Sequence, residues 1–158
     1  MTKTRSSDVG AIEKRFDAAM RAREDGEYGY ATILLEQLLQ LVPPPEPRIL
    51  SAVYKQLGLI YGFKLGNHER GELFFRKAVE VRPQAEFSSL GLFHCLGEQE
   101  RWKEALEEAI RFLSLRGSIE YDDLLSDSEF GEGFSTDARE LVQYARSLAA
   151  QWKVRDST

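Results

Sequence analysis

The sequence is short of cysteine. With one thiol in 158 residues no internal disulfide can form, which excludes the small secreted domains held by disulfide staples. Histidine is nearly as scarce. His68, His94 and the lone Cys95 make no metal-ligand spacing, so neither a metal nor any other cofactor is expected. Long apolar runs are missing too; the longest are a few residues, against the ~20 that a membrane span needs. No hydrophobic stretch follows Met1–Ser7, so a secretory signal is not expected either. Positive charge is in deficit, 21 Lys and Arg against 26 Asp and Glu, giving −5 and a pI near 5.2. That balance argues against nucleic-acid and anionic-membrane partners. Phosphate-cradling Gly-x-x-x-x-Gly-Lys and the nucleophile elbow Gly-x-Ser-x-Gly are both absent. What is present is ordinary globular material, 42% hydrophobic and 30% charged, in a chain of single-domain size. The expectation is a cytoplasmic domain over 9–153, with residues 1–8 disordered and 154–158 mobile.

Internal repetition organises the rest. Tyr54-x2-Leu57-Gly58-x2-Tyr61 is followed by Gly71-x3-Phe75 and Pro83. A glycine at 58 lets a neighbouring helix come close, Tyr61 and Phe75 fill the space between paired helices, and Pro83 stops the second helix. Upstream, Gly26 breaks the chain before a stripe of Leu34, Leu35, Leu38, Leu39 and Val42, preceded by Ile12, Phe16 and Met20 at four-residue spacing. Downstream, Trp102 enters a stripe of Leu106, Ala109, Ile110 and Leu113. The small residues Ala31, Gly71 and Ala105 stand 40 and 34 residues apart. The excess in the first step falls in the proline-rich stretch 43–47.

This pattern resembles the tetratricopeptide repeat (TPR), whose period is 34 residues. The resemblance implies an all-α fold: a right-handed stack of three TPR-like helical hairpins, about 11–45, 51–84 and 86–117, plus a C-terminal capping helix, seven main helices in all. Residues 116–135, rich in acids and glycine, are expected to form a loop with a short helical turn around Tyr121–Leu125. Leu124, Leu125 and Phe130 would pack back on the last repeat. Asp137 and Glu140 have the spacing of a capping box for a helix over 136–153, with Leu141, Val142, Ala145, Leu148, Ala149 and Trp152 on one face.

Nothing in the sequence composes a catalytic site. His94 and Cys95 are adjacent and point about 100° apart on a helix, so they are no nucleophile–base pair. Asp127-x-Glu129 has Glu132 where a calcium loop needs glycine. The chain is therefore expected not to be an enzyme. The resemblance implies a concave groove lined by the first helix of each pair. Its positions carry over to Phe16, Met20 and Arg23, then Lys55, Leu59 and Phe63, then Phe87, Leu90 and His94. Arg23 and Lys55 are expected to be exposed. This lining suits a protein or peptide partner with apolar anchors. Phe16 and Met20 stand where chaperone-binding repeats have a carboxylate clamp, so that subclass is not expected.

Charge is also unevenly spread along the chain. Residues 1–23 hold six Lys and Arg against three acids, whereas 98–140 hold thirteen acids against five bases. The acidic half suits a basic partner. In size and layout the chain is similar to bacterial secretion chaperones built from such repeats, and its acidic half would suit a toxin-immunity protein covering a basic site. A self-assembling oligomer, such as a homodimer, is the remaining alternative.

Overall fold

A computed structural model describes residues 6–156, and its regular structure is helical, with no strand among the described residues. Eight α-helices follow in order: α1 (Ser6–Glu24), α2 (Tyr28–Leu39), α3 (Pro47–Leu59), α4 (His68–Val81), α5 (Glu86–Glu98), α6 (Trp102–Leu113), α7 (Ile119–Ser126) and α8 (Thr136–Asp156). The backbone of α3 runs on into a π-helical turn at Ile60–Lys64. None of the described helices is long and apolar enough to cross a membrane. Of the expected mobile tails, residues 1–5 and 157–158 lie outside the described residues, while 6–8 and 154–156 are helical. Where the sequence suggests one domain over 9–153, the chain divides after Arg82 into two compact units.

The first unit holds two helical hairpins. Gly26, at φ +79°, makes the turn between α1 and α2, a left-handed conformation that glycine adopts without penalty. Ala19 and Ala22 on α1 are small enough to bring it against Ala31, Leu35 and Leu38 of α2. Ile49, Val53 and Leu57 recur every four residues on α3 and close the same core with Ile60 and Phe74. Pro47 opens α3, where its missing N–H costs nothing. Between α3 and α4 the backbones approach at Gly58: a Cβ there would stand 2.8 Å from the Phe75 ring. Asn67 caps α4 by accepting from the Arg70 N–H at 3.1 Å. Val42 departs from its expected place in the α2 stripe. It is 94% exposed, because α2 ends at Leu39 and the chain then turns into the prolines.

The second unit holds one hairpin, α5 and α6, followed by α7 and α8. Close approach recurs here at Gly97, where a Cβ would meet the Trp102 ring at 2.7 Å. The short helical turn expected around Tyr121–Leu125 within the acidic segment is longer, a helix of 8 residues, α7. Ser118 caps it by accepting from the Tyr121 N–H at 3.0 Å, and Tyr121 and Leu125, one turn apart, are buried. This raises the expected seven helices to eight. The capping box expected at Asp137 and Glu140 is replaced by Ser135, whose hydroxyl accepts from the Ala138 N–H at 3.2 Å. Asp137 lies inside the first turn of α8 instead. On α8, Val142, Ala145 and Ala149 are buried, and Trp152 donates to the Leu113 carbonyl at 2.6 Å, tying α8 to the end of α6. Phe130 packs back as expected, 6.3 Å from Phe93 and 5.8 Å from Trp102 between ring centres.

A polar chain runs through this core. Arg111 donates twice to the Glu108 carboxylate, at 2.7 and 2.6 Å, and Ser89 donates to the same carboxylate at 2.6 Å. With its proton given to Glu108, the Ser89 hydroxyl accepts from Tyr121 at 2.8 Å. Burial pushes the Tyr121 phenol well above its ordinary value near 10, against the opposing bond to Ser89. Above pH about 10 the unfolded chain therefore loses this proton while the folded chain keeps it, so stability falls as the pH rises. Tyr121→Phe is expected to cost about 1 kcal/mol near neutral pH. The wild-type advantage should shrink in urea melts as the pH passes about 10; a constant difference would deny Tyr121 this role.

Candidate protein-binding grooves

In the first unit a groove of about 500 Å³ lies along α1 and α3. Its apolar surface comes from Ile12 and Phe16 on α1 and Ile49 and Ala52 on α3. Glu13 and Asp17 contribute negative charge, and Arg48 and Arg82 positive charge. The exposed Arg48 also pairs with Glu46 at 3.3 Å. An apolar floor with charge of both signs can bury an aliphatic or aromatic anchor and orient the chain that carries it.

The expected groove residues take different positions. Phe16 lines the groove, and both it and the half-buried Met20 pack against the core. Arg23 is not the exposed cation expected of it: it is half-buried and donates to the Gln56 amide oxygen on α3. Lys55, also expected to be exposed, is half-buried, as is Leu59. Phe63, on the π-helical turn, stays 40% exposed with its ring 5.7 Å from Phe75. Phe87, Leu90 and His94 belong to the second unit. Phe87 is exposed near the start of α5.

Leu90 and His94, one turn apart on α5, line another groove, of about 680 Å³. Phe93 and Trp102 form its aromatic floor, their ring centres 6.2 Å apart. Its far side comes from Glu120, Asp123 and Leu124 of α7 and from Phe130. Glu98 completes the rim. The sequence signals for this far side are an acid surplus and three apolar residues, which read separately as a solvated face and a packing turn. Only α7 joins them.

His94 is exposed whereas Cys95 is fully buried, as expected for neighbours about 100° apart on a helix. His68 opens α4. No group of three or more His, Cys, Asp or Glu residues able to hold a metal ion occurs among the described residues.

Residues 52–84 match the family model described as tetratricopeptide repeat, a span covering most of α3, the π-helical turn and all of α4. Residues 52–84 thus carry a tetratricopeptide repeat, a kind of repeat that serves as a protein–protein interaction module. No curated protein sequence matches it.

Proposed function

Proceeding from a tetratricopeptide repeat at 52–84, we propose that the chain is a non-catalytic adaptor holding a segment of a protein partner in the groove between α1 and α3. The observation that carries this reading is the groove's composition, an apolar floor set between acids on one helix and arginines at its other side. Each large apolar side chain buried there would contribute about 1.5–3 kcal/mol. Glu13 and Asp17 against Arg48 and Arg82 would set the direction in which the partner segment runs. Met20 and Arg23 on α1, Lys55 and Leu59 on α3, and Phe63 on the π-helical turn beyond it lie toward the C-terminal ends of the same two helices and would meet a longer segment.

Ala52→Glu tests the reading. Glutamate is a good helix former, so α3 should persist, yet its side chain would occupy the groove and place a carboxylate on the floor. A partner captured by the tagged wild-type chain should be retained about tenfold less by this variant, at unchanged helical circular dichroism. Arg48→Glu, at an exposed site, should weaken capture mainly at low salt. A partner retained equally by both variants would place binding elsewhere and overturn the reading.

A further inference from the structure

Three features outside the α1–α3 groove invite a role: the buried Tyr121 network, the loop pocket beside Arg139 and Arg146, and the groove of the second unit. The network is satisfied internally, Arg111 bonded to Glu108, Glu108 to Ser89 and Ser89 to Tyr121 in a chain. Arg146 spends its guanidinium on the carbonyls of Leu125 and Asp127, at 2.6 and 3.2 Å, holding the end of α7. The groove is different, because its aromatic floor and acidic rim converge on open space.

We propose that the groove between α5, α7 and Phe130 is a second docking site, whose occupant is a cationic peptide segment of a partner protein carrying a large apolar anchor. Charge selects the occupant. Glu98, Glu120 and Asp123 stand around the opening, and neither Lys nor Arg is among the residues that line it. Glu120, Asp123 and Leu124 share one face of α7 through their three- and four-residue spacing. Lys153 pairs with the neighbouring Asp122 at 2.7 Å, one helical step aside from that face. Asp123 also lies within the field of Lys153, whose ammonium is held above its ordinary value first by Asp122. A nucleic acid or an anionic lipid surface would meet repulsion at this rim. The floor decides the rest. A small cation would leave Leu90, Phe93, Trp102 and Phe130 unused, whereas a Leu or Trp flanked by lysines or arginines engages both floor and rim. An arginine could in addition stack on the Trp102 ring. Glu120, Asp123, Leu124 and Phe130 lie outside the matched repeat, and the site stands independently of the α1–α3 reading.

The test uses the full chain and a short fluorescein-labelled peptide with lysines flanking a central Leu-Trp-Leu, read by fluorescence anisotropy. Two companion peptides carry glutamates for the lysines, or alanines for Leu-Trp-Leu. Glu120→Lys with Asp123→Lys is expected to weaken binding of the cationic peptide by about tenfold or more. Reversing two acids outside the groove, Glu107→Lys with Glu140→Lys, changes the net charge equally and should cost less than about threefold. Because acids favour the first turn of α7, the reversal could unsettle that helix; Glu120→Gln with Asp123→Asn should then give an intermediate loss at preserved helicity. The alanine peptide should bind about tenfold less and the glutamate peptide not measurably. Ala52→Glu should leave this binding unchanged, which separates it from the first groove. Equal loss from both acid reversals would reduce the effect to overall charge and overturn the proposal. So would no binding by the wild-type chain, or undiminished binding of the alanine peptide. Self-association of the chain abolished by the Glu120/Asp123 reversal would make a second copy the occupant, and would overturn it as well.

Discussion

Glu108→Ala is expected to destabilise the chain by about 3 kcal/mol, several times the cost of losing an exposed ion pair. Its carboxylate is only 8% exposed and accepts from three donors, two on Arg111 and one on Ser89. Removing it leaves Arg111 with the Pro83 carbonyl at 2.9 Å as its remaining bond and leaves a cavity in the core. The opposite truncation should cost at least as much. Arg111 keeps about a third of its side chain in contact with solvent and can turn outward, whereas Glu108 cannot. Arg111→Ala therefore leaves a buried carboxylate with Ser89 as its remaining donor. In urea unfolding the two single variants should together lose more than the double variant, because the second removal takes away a charge already stranded. Strict additivity would mean that the pair is no more than a surface contact, worth at most about 1 kcal/mol.

Gly58→Ala is expected to lower stability by about 2 kcal/mol, or the melting temperature by about 4–8 °C. In a helix interior the same exchange ordinarily stabilises by about 0.5–1 kcal/mol. At this position the new Cβ would stand 2.8, 2.8 and 2.9 Å from Cδ1, Cγ and Cδ2 of Phe75. These atoms are at the root of a ring that is fully buried, so relief requires α4 or the ring itself to move. Phe75→Leu alone leaves a cavity and costs about 1–3 kcal/mol. Combined with Gly58→Ala it should cost at least about 1 kcal/mol less than the sum, since the methyl then fills part of that space. Gly10→Ala supplies the contrast. Nothing lies within 4 Å of a Cβ at that position in α1, so a gain of about 0.5–1 kcal/mol is expected. If both glycine variants were stabilising, the approach of α3 and α4 at Gly58 would be looser than the ring contact requires.

These two sites differ in how openly the sequence announces them. Tyr54, Leu57, Gly58, Tyr61 and Phe75 sit within one local period, and each is tied to its helix by spacing alone. Glu108 and Tyr121 stand 19 and 32 residues from Ser89, separations that carry no period. Read singly, Glu108 is one more acid on a charged helix, and the fold alone turns it inward. Val42 shows the converse. Its spacing continues the Leu34–Leu39 stripe, but α2 stops first, so side-chain pattern without helix backbone leaves it in water.

The candidate grooves divide along the same line. Phe16 and Leu90 with His94 are reachable by carrying a repeat pattern along the chain, because helical faces follow from three- and four-residue spacing. Ile12, Ile49 and Ala52 reach the first groove only once α1 lies beside α3, and Arg23 turns from an exposed cation into a donor to Gln56 for the same reason. The all-α class, the central repeat and the apolar face of the last helix were thus settled by local spacing, which any stretch of backbone reads for itself. The buried Tyr121 network and the acid-rimmed groove depended on which distant segments meet, because burial, long-range hydrogen-bond partners and charge environment are set between helices rather than along them.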